Sequence, residues 1–244
     1  DLTVYSSSYE WLQLIEELSK TNAVYSIDLI GCGKSDKPAI TYTNYFYVQM
    51  ISDFIAEVIQ EKTSVVATGL SGSFILMANH KNKELFDKIT LVSPPNISAL
   101  KIAPDERSKV LLRLFELPVI GKTAYYMATN KSNVEDYLTE KCYYNPFNLK
   151  PSVTKAYYDA AHTANGDGKA LFASLEGLYL NADITAALKS AENEIVIING
   201  EHREKKDEIE HSYRAINENI ICYTVENSKY LPQIEIPEEL VVLL

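Results

Sequence analysis

Apolar and polar positions along the chain follow two rhythms that take turns. Short aliphatic and β-branched runs read as strands: "LTVY" (2–5), "AVYSID" (23–28), "SVVAT" (64–68), "ITLVSPP" (89–95), "EIVIING" (194–200) and "IICYTV" (220–225). Between them, "YEWLQLIEELSK" (9–20), "YFYVQMISDFIAEVIQEK" (45–62), "SGSFILMANHKNKELF" (71–86) and "KKDEIEHSYRAINEN" (205–219) carry apolar residues at helical spacing. A last helix is predicted after Pro237 at "EELVVLL", since proline suits a first helical turn and the two glutamates favour its N-terminal end. Strand and helix in alternation predict an α/β fold: a mostly parallel central sheet wrapped by helices.

Residues 96–190 break the alternation, with several helical patterns and no convincing strand. They read as a helical insertion after the strand 89–95, leaving 1–95 and 191–244 as the sheet-bearing core. Three tyrosine pairs fall there, Tyr125 with Tyr126, Tyr143 with Tyr144 and Tyr157 with Tyr158. The plain expectation is that one ring of each pair packs against the sheet and the other reaches solvent; the functional alternative is an aromatic roof over a pocket.

Composition narrows the partners. With 244 residues, 46% of them hydrophobic, the chain has enough apolar material for a real core, and a net charge of −10 disfavours nucleic acid and anionic membrane surfaces. Lys81 and Lys83 stand beside Glu84, so no basic patch builds up. No run of about eighteen apolar residues occurs, so no membrane span is expected. Cys32, Cys142 and Cys222 are odd in number and widely spaced, without a C-x-x-C pair for zinc or redox work. A reducing, cytoplasmic setting fits them, and no cofactor or metal is expected. The chain starts at Asp1 inside an expected strand, which leaves a removed leader open.

The chemistry concentrates at "VVATGLSGSFILMA" (65–78): an apolar strand, a turn of small residues, then an apolar helix, with Ser71 at the apex. A nucleophilic serine on such a turn needs small residues two positions before and after it, a demand that Gly69 and Ser73 meet. The N–H of Gly72 is expected to point where an oxyanion would form, supported by the positive end of the following helix. A lone G-x-S-x-S is weak, but "DLIGCGKSDKP" (28–38), "SYEWLQLIEELSK" upstream and "LPQIEIPEELVVLL" at the end accompany it. Together these stretches closely resemble the α/β-hydrolase superfamily, over nearly the whole chain, with 96–190 resembling that family's helical cap.

That resemblance implies a nucleophile, acid and histidine in this order, acting on esters, amides, epoxides or carbon–carbon bonds. Two of the three positions depart from it. In "INGEHREKKD" the third residue after Gly200, where the acid belongs, is Arg203; a guanidinium would oppose an imidazolium instead of supporting it. Glu201, Glu204 and Asp207 are the acids close enough for a shifted loop to recruit. "SKYLPQIEIP" (228–237) fits the frame S-G-H-x-P-x-x-E-x-P without a gap, with Tyr230 at the histidine position. A phenol with a pKa of about 10 is a poor base for a serine, though it still donates a hydrogen bond to a carbonyl.

Other histidines are poorly placed. His80 sits at the far end of the helix that begins at Ser71, roughly 13 Å along its axis at about 1.5 Å per residue. His211 lies mid-helix among charges, His162 belongs to the insertion, and His202 adjoins the acid position on the wrong strand. The second oxyanion loop is also irregular, because "LTVY" runs straight into "SSSYEW" with no glycine. One donor instead of two costs on the order of 3 kcal/mol of transition-state stabilisation.

The leading expectation is therefore an α/β-hydrolase-like protein with Ser71 at the nucleophile position, Gly72 as oxyanion donor, Tyr230 and Arg203 at the histidine and acid positions, and a pocket for a small apolar or acyl-like molecule. The alternatives are an esterase-like enzyme that uses Ser71 with His202 or His162 as base, and a partner-binding module that uses the insertion as its surface.

Overall fold

A computed structural model describes residues 1–244. Four of the predicted strands pair into one sheet: β1 (Thr63–Thr68), β2 (Phe86–Val92), β3 (Glu194–Gly200) and β4 (Ile221–Val225), all parallel and in the order β1-β2-β3-β4. The register sets Val66 beside Thr90, Thr90 beside Val196 and Ile197 beside Cys222. Of the two inner strands, β3 is buried from Ile195 to Gly200 and β2 from Ile89 to Val92, as parallel strands covered on both faces must be. Edge strand β4 is more open, with Ile221 and Tyr223 exposed and only Val225 buried.

The helices are α1 (Leu12–Leu18), α2 (Asn44–Phe54), α3 (Ser71–Lys81), α4 (Ile97–Leu100), α5 (Glu106–Glu116), α6 (Pro118–Ala128), α7 (Lys131–Asp136), α8 (Pro151–His162), α9 (Lys169–Glu176), α10 (Thr185–Ser190), α11 (Lys206–Arg214), α12 (Pro232–Glu235) and α13 (Pro237–Leu243). The period of two along the strands sorts the core into two layers. Ile89, Leu91, Ile195 and Ile197 pack with Tyr47, Phe74 and Ile209 of α2, α3 and α11. Val92, Val196 and Ile198 face the other way, onto Leu14 of α1 and Leu240 of α13. A third cluster joins Val134, Leu138, Cys142 and Tyr157 to Leu231 and Ile234, and so seats the helical segment on the loop that carries Tyr230.

Between β2 and β3 the chain forms α4 to α10 with short turns and no strand, as the pattern predicts. The first tyrosine of each pair is buried, at 0%, 4% and 2% exposure for Tyr125, Tyr143 and Tyr157, and their neighbours are more open. Only Tyr125 joins the core that includes the sheet; Tyr143 and Tyr157 pack in the third cluster.

Two predicted strands are absent. Residues 2–5 form turns, in which Ser6 N–H returns to Thr3 O at 3.2 Å. Residues 23–28 form no regular element, are mostly exposed and join no ladder. A β-branched run becomes a strand only where a neighbouring backbone accepts its hydrogen bonds, and neither run has one. Several ends also move: β2 begins at Phe86 rather than 89, α3 stops at Lys81, and α2 passes into a π-helical turn (Ile55–Ile59) that ends on left-handed Gln60. The segment after Asp28 serves as a clamp. The Asp28 carboxylate accepts the N–H groups of Ser8 at 2.6 Å and Lys34 at 2.7 Å, while Lys37 Nζ and Thr163 Oγ1 both donate to Gly33 O.

Candidate functional site

The sheet's carboxyl end gathers the turns after β1, β2, β3 and β4. After β1 the chain turns at Gly69, with φ +58°. A Cβ there would lie 2.3 Å from the Tyr230 hydroxyl and 2.4 Å from Asp1 Oδ1, so both the backbone and the space select glycine. Leu70 is already right-handed, and Ser71 opens α3 at 8% exposure. The Ser71 hydroxyl donates to Thr68 O at 2.7 Å. Thr68 is held in turn by Gln233 Nε2, 3.2 Å from its Oγ1.

The left-handed residue of this turn is the glycine, and the serine takes part in an ordinary helix start. Gly72 N–H donates to Gly69 O at 3.2 Å and Ser73 N–H to Leu70 O at 3.0 Å. The Gly72 amide, expected to aim at an oxyanion, is therefore engaged within the first turn. An αR residue at Leu70 brings the Gly69 carbonyl within reach of the amide three residues on.

Tyr230 follows β4, and its hydroxyl donates to Asp1 Oδ2 at 2.8 Å. The other oxygen of Asp1 accepts the N–H groups of Leu2 at 2.6 Å and Leu70 at 3.2 Å. The phenol thus reaches the Ser71 turn through a carboxylate, a relay with no local signal in the sequence. Burial pushes the Tyr230 phenol well above its ordinary range, against the pull of Arg203. It is a hydrogen-bond donor at neutral pH.

Arg203 lies in the turn after β3, its N–H donating to Gly200 O at 3.1 Å. Its guanidinium sits 4.6 Å from the centre of the Tyr230 ring, so the positions named from the acid and histidine frames do meet in space. Nη2 donates to Pro94 O at 3.0 Å, and Nε is buried without an acceptor. Burial lowers the Arg203 pKa, with Tyr230 and Glu204 opposing the shift.

The acids weighed as substitutes point elsewhere. Glu201 lies 3.4 Å from His202 and accepts Asn227 N–H, Glu204 lies near Lys141 and Lys229, and Asp207 pairs with Lys206 at 3.3 Å. Each histidine that forms a hydrogen bond or a stack does so away from Ser71. The His80 ring is 2.6 Å from Ser190 Oγ, His162 is 2.8 Å from Tyr158 O and stacks on that ring, and His202 stacks on Tyr144 at 3.7 Å. His211 is exposed on α11.

Glu235, the glutamate of the "SKYLPQIEIP" frame, fixes the Tyr230 loop. It accepts Lys229 N–H at 2.7 Å and Tyr144 N–H at 2.8 Å, and so ties the loop to the helical segment. Burial pushes its carboxyl up from 4.5 to about 6, against those two N–H groups and the Lys229 charge. Because the folded value is the higher one, this group's contribution to stability is full below pH 4.5 and is lost as the pH rises through about 6. Glu235→Gln is expected to flatten that part of the stability profile while costing one hydrogen bond, about 1 kcal/mol, at every pH. Urea midpoints of both proteins across the window test this, and an unchanged slope in the variant would refute it.

Comparison with known proteins places these features in a wider set. The profile of the alpha/beta hydrolase fold matches residues 4–168. Uncharacterized proteins of Mycobacterium bovis and Mycobacterium tuberculosis are 25% identical over 113 residues, 46% of this chain. The matched stretch spans 31% of those curated relatives' length. Among solved structures, an epoxide hydrolase, CorEH, superposes with TM-score 0.76 at 16% identity, covering 98% of this chain and 86% of that one. A serine hydrolase involved in carbazole degradation, CarC, gives 0.77 at 17%, covering 98% and 84%. The 2-hydroxy-6-oxo-6-phenylhexa-2,4-dienoate hydrolase of a Rhodococcus gives 0.75 at 17%, covering 99% and 85%. At such identities the likeness is one of fold.

Proposed function

Since the chain belongs to the alpha/beta hydrolase fold family, we propose that it is a member that binds a small apolar or acyl-like molecule and has little or no hydrolytic activity. Residues 96–190 would act as the cap over a core made of 1–95 and 191–244, with the ligand held between them at the sheet's carboxyl edge. The setting is taken as cytoplasmic, from the three free thiols.

One observation carries this reading: the Ser71 hydroxyl is committed to Thr68 O, with a tyrosine and an arginine at the two positions where a base and its orienting acid belong. A serine without a base lacks a route for its proton, and loss of such a group lowers rates by factors of about ten thousand to a million. The Gly72 amide, already bonded to Gly69 O, offers an oxyanion no free donor in this arrangement. No fold-level likeness supplies the missing groups, because activity resides in sites and not in folds.

A serine-reactive phosphonate carrying a fluorescent tag is expected to leave the protein unmodified over hours, at concentrations that label a working esterase completely. Stoichiometric modification at Ser71 that disappears in Ser71→Ala would overturn the reading in favour of an esterase-like enzyme. Capture of a protein partner that depends on α5 or α6 and ignores Ser71 and Tyr230 would favour the binding-module alternative.

A further inference from the structure

A cavity of about 240 Å³ opens between the helical segment and the turns after β3 and β4, walled by Tyr137, Lys141, Arg203, Glu204, Lys229 and Tyr230. It falls below the range of about 300–1,000 Å³ typical for drug-sized ligands, so its occupant is small. Its walls carry three cationic side chains against one carboxylate. Glu204 Oε1 stands 3.8 Å from Lys141 Nζ and 3.9 Å from Lys229 Nζ, and Lys229 Nζ also donates to Glu140 O. The ion pairs of the fold leave out Arg203, which has no carboxylate within 4.0 Å.

That omission is the unusual feature. A guanidinium offers about five N–H donors; here one goes to Pro94 O and Nε is buried without an acceptor. The Tyr230 ring below it offsets part of the desolvation of the cation but accepts none of the in-plane N–H groups. Holding a partly buried cation with no carboxylate paired to it directly is costly, and Glu204 offsets this only from a distance. Capping one carbonyl of the Pro94 turn does not need a guanidinium, since a single neutral donor would do the same.

We propose that this cavity is a carboxylate site, in which Arg203 receives the acid group of a small organic acid and the rings of Tyr137 and Tyr230 hold its apolar body. The inference deepens the proposed function by giving the bound molecule a charge, and it rests on that reading only in placing the ligand beneath the helical segment. A planar fork matches a carboxylate, and two aromatic walls suit a flat or aliphatic tail. Glu204 disfavours a phosphate dianion more strongly than a monoanion, because it already stands among the lysines and repels added negative charge.

The test is isothermal titration of the full chain with benzoate, its neutral isostere benzamide, and inorganic phosphate, all at matched ionic strength in sodium chloride. Benzoate is expected to bind saturably, with benzamide and phosphate each at least about tenfold weaker. Arg203→Gln is expected to lose about tenfold or more in benzoate affinity, and the paired change Lys141→Ala with Lys229→Ala several-fold. Absence of saturable benzoate binding, equal affinity for benzamide, phosphate binding tighter than benzoate, or an unchanged constant in Arg203→Gln would each overturn the proposal. If circular dichroism shows Arg203→Gln unfolded, the lysine pair decides, and unchanged affinity there overturns it. Phosphonate labelling of Ser71 is read separately: a labelled serine sinks the non-hydrolytic reading, while the titration alone decides the carboxylate site.

Discussion

Replacing Gly200 with alanine is expected to cost about 3 kcal/mol or more, which for a chain of this size lowers the unfolding midpoint by about 6–12 °C. The reason is space. A Cβ at Gly200 would lie 2.3 Å from the Lys229 carbonyl oxygen and 2.6 Å from the carbonyl carbon and oxygen of Ser228. These are backbone atoms of the loop that carries Tyr230, and the loop is pinned where it lies. His202 N–H donates to Ser228 O at 2.9 Å, Ser228 Oγ donates to Val225 O at 2.9 Å, and Glu235 accepts the Lys229 amide at 2.7 Å. Retreat from the new methyl breaks some of these bonds, and Arg203 and Tyr230 move apart because both hang from this junction. Gly72→Ala provides the contrast. Its Cβ would meet the Leu91 side chain alone, closest at the Cδ2 methyl at 2.9 Å, the end of a side chain that shifts more cheaply than backbone. Calorimetry on the two variants checks the ordering; a loss below about 2 °C for Gly200→Ala would mean that the loop is not held against β3.

How much of this was legible in the sequence follows from which forces are local. Inner strand β3 announces itself, because burial on both faces demands a continuous apolar run such as "IVII", while β2 is legible only from Ile89, beyond the polar Asp87 and Lys88. The runs at 2–5 and 23–28 have the same composition without a pairing partner, and pairing is a property of the fold that no window of sequence carries. The meeting of Arg203 with Tyr230 was readable through the two motif frames, since each lies a fixed distance beyond the end of a sheet strand. The strand-to-helix turn at Ser71 is legible from its small residues, whereas the backbone conformation of each residue within it is not. Gly69 and not the serine takes the left-handed conformation, and that choice engages the Gly72 amide. Asp1 carries no signal in the sequence, because its partner Tyr230 lies 229 residues away along the chain. The lysines and Tyr137 around Arg203 escaped for a related reason: Tyr137 and Lys141 arrive from the helical segment, whose packing on the sheet rests on the cluster around Leu138, Tyr157 and Leu231.

Tyr230→His alone is expected to give no ester turnover above background, while Tyr230→His combined with Arg203→Asp is expected to raise p-nitrophenyl acetate hydrolysis by about a hundredfold over the single variant. In the single variant the new imidazole would sit beside the Arg203 guanidinium, now 4.6 Å from the ring centre, and a neighbouring cation disfavours the imidazolium that catalysis must form. Asp at position 203 reverses that sign and supplies the acceptor that orients the ring. A correctly held imidazole and acid are together worth about ten thousandfold, from which the engaged Gly72 amide subtracts: one missing oxyanion donor costs on the order of a hundredfold or more. The net gain of about a hundredfold is what remains of the first factor after the second. Strong activity in Tyr230→His by itself would identify a carboxylate already serving the new ring, and the Asp1 oxygen now 2.8 Å from the tyrosine hydroxyl is the group in place to do so. An inert double variant that remains folded would instead locate the defect at the Ser71 turn, where the hydroxyl is bonded to Thr68 O and the Gly72 amide to Gly69 O.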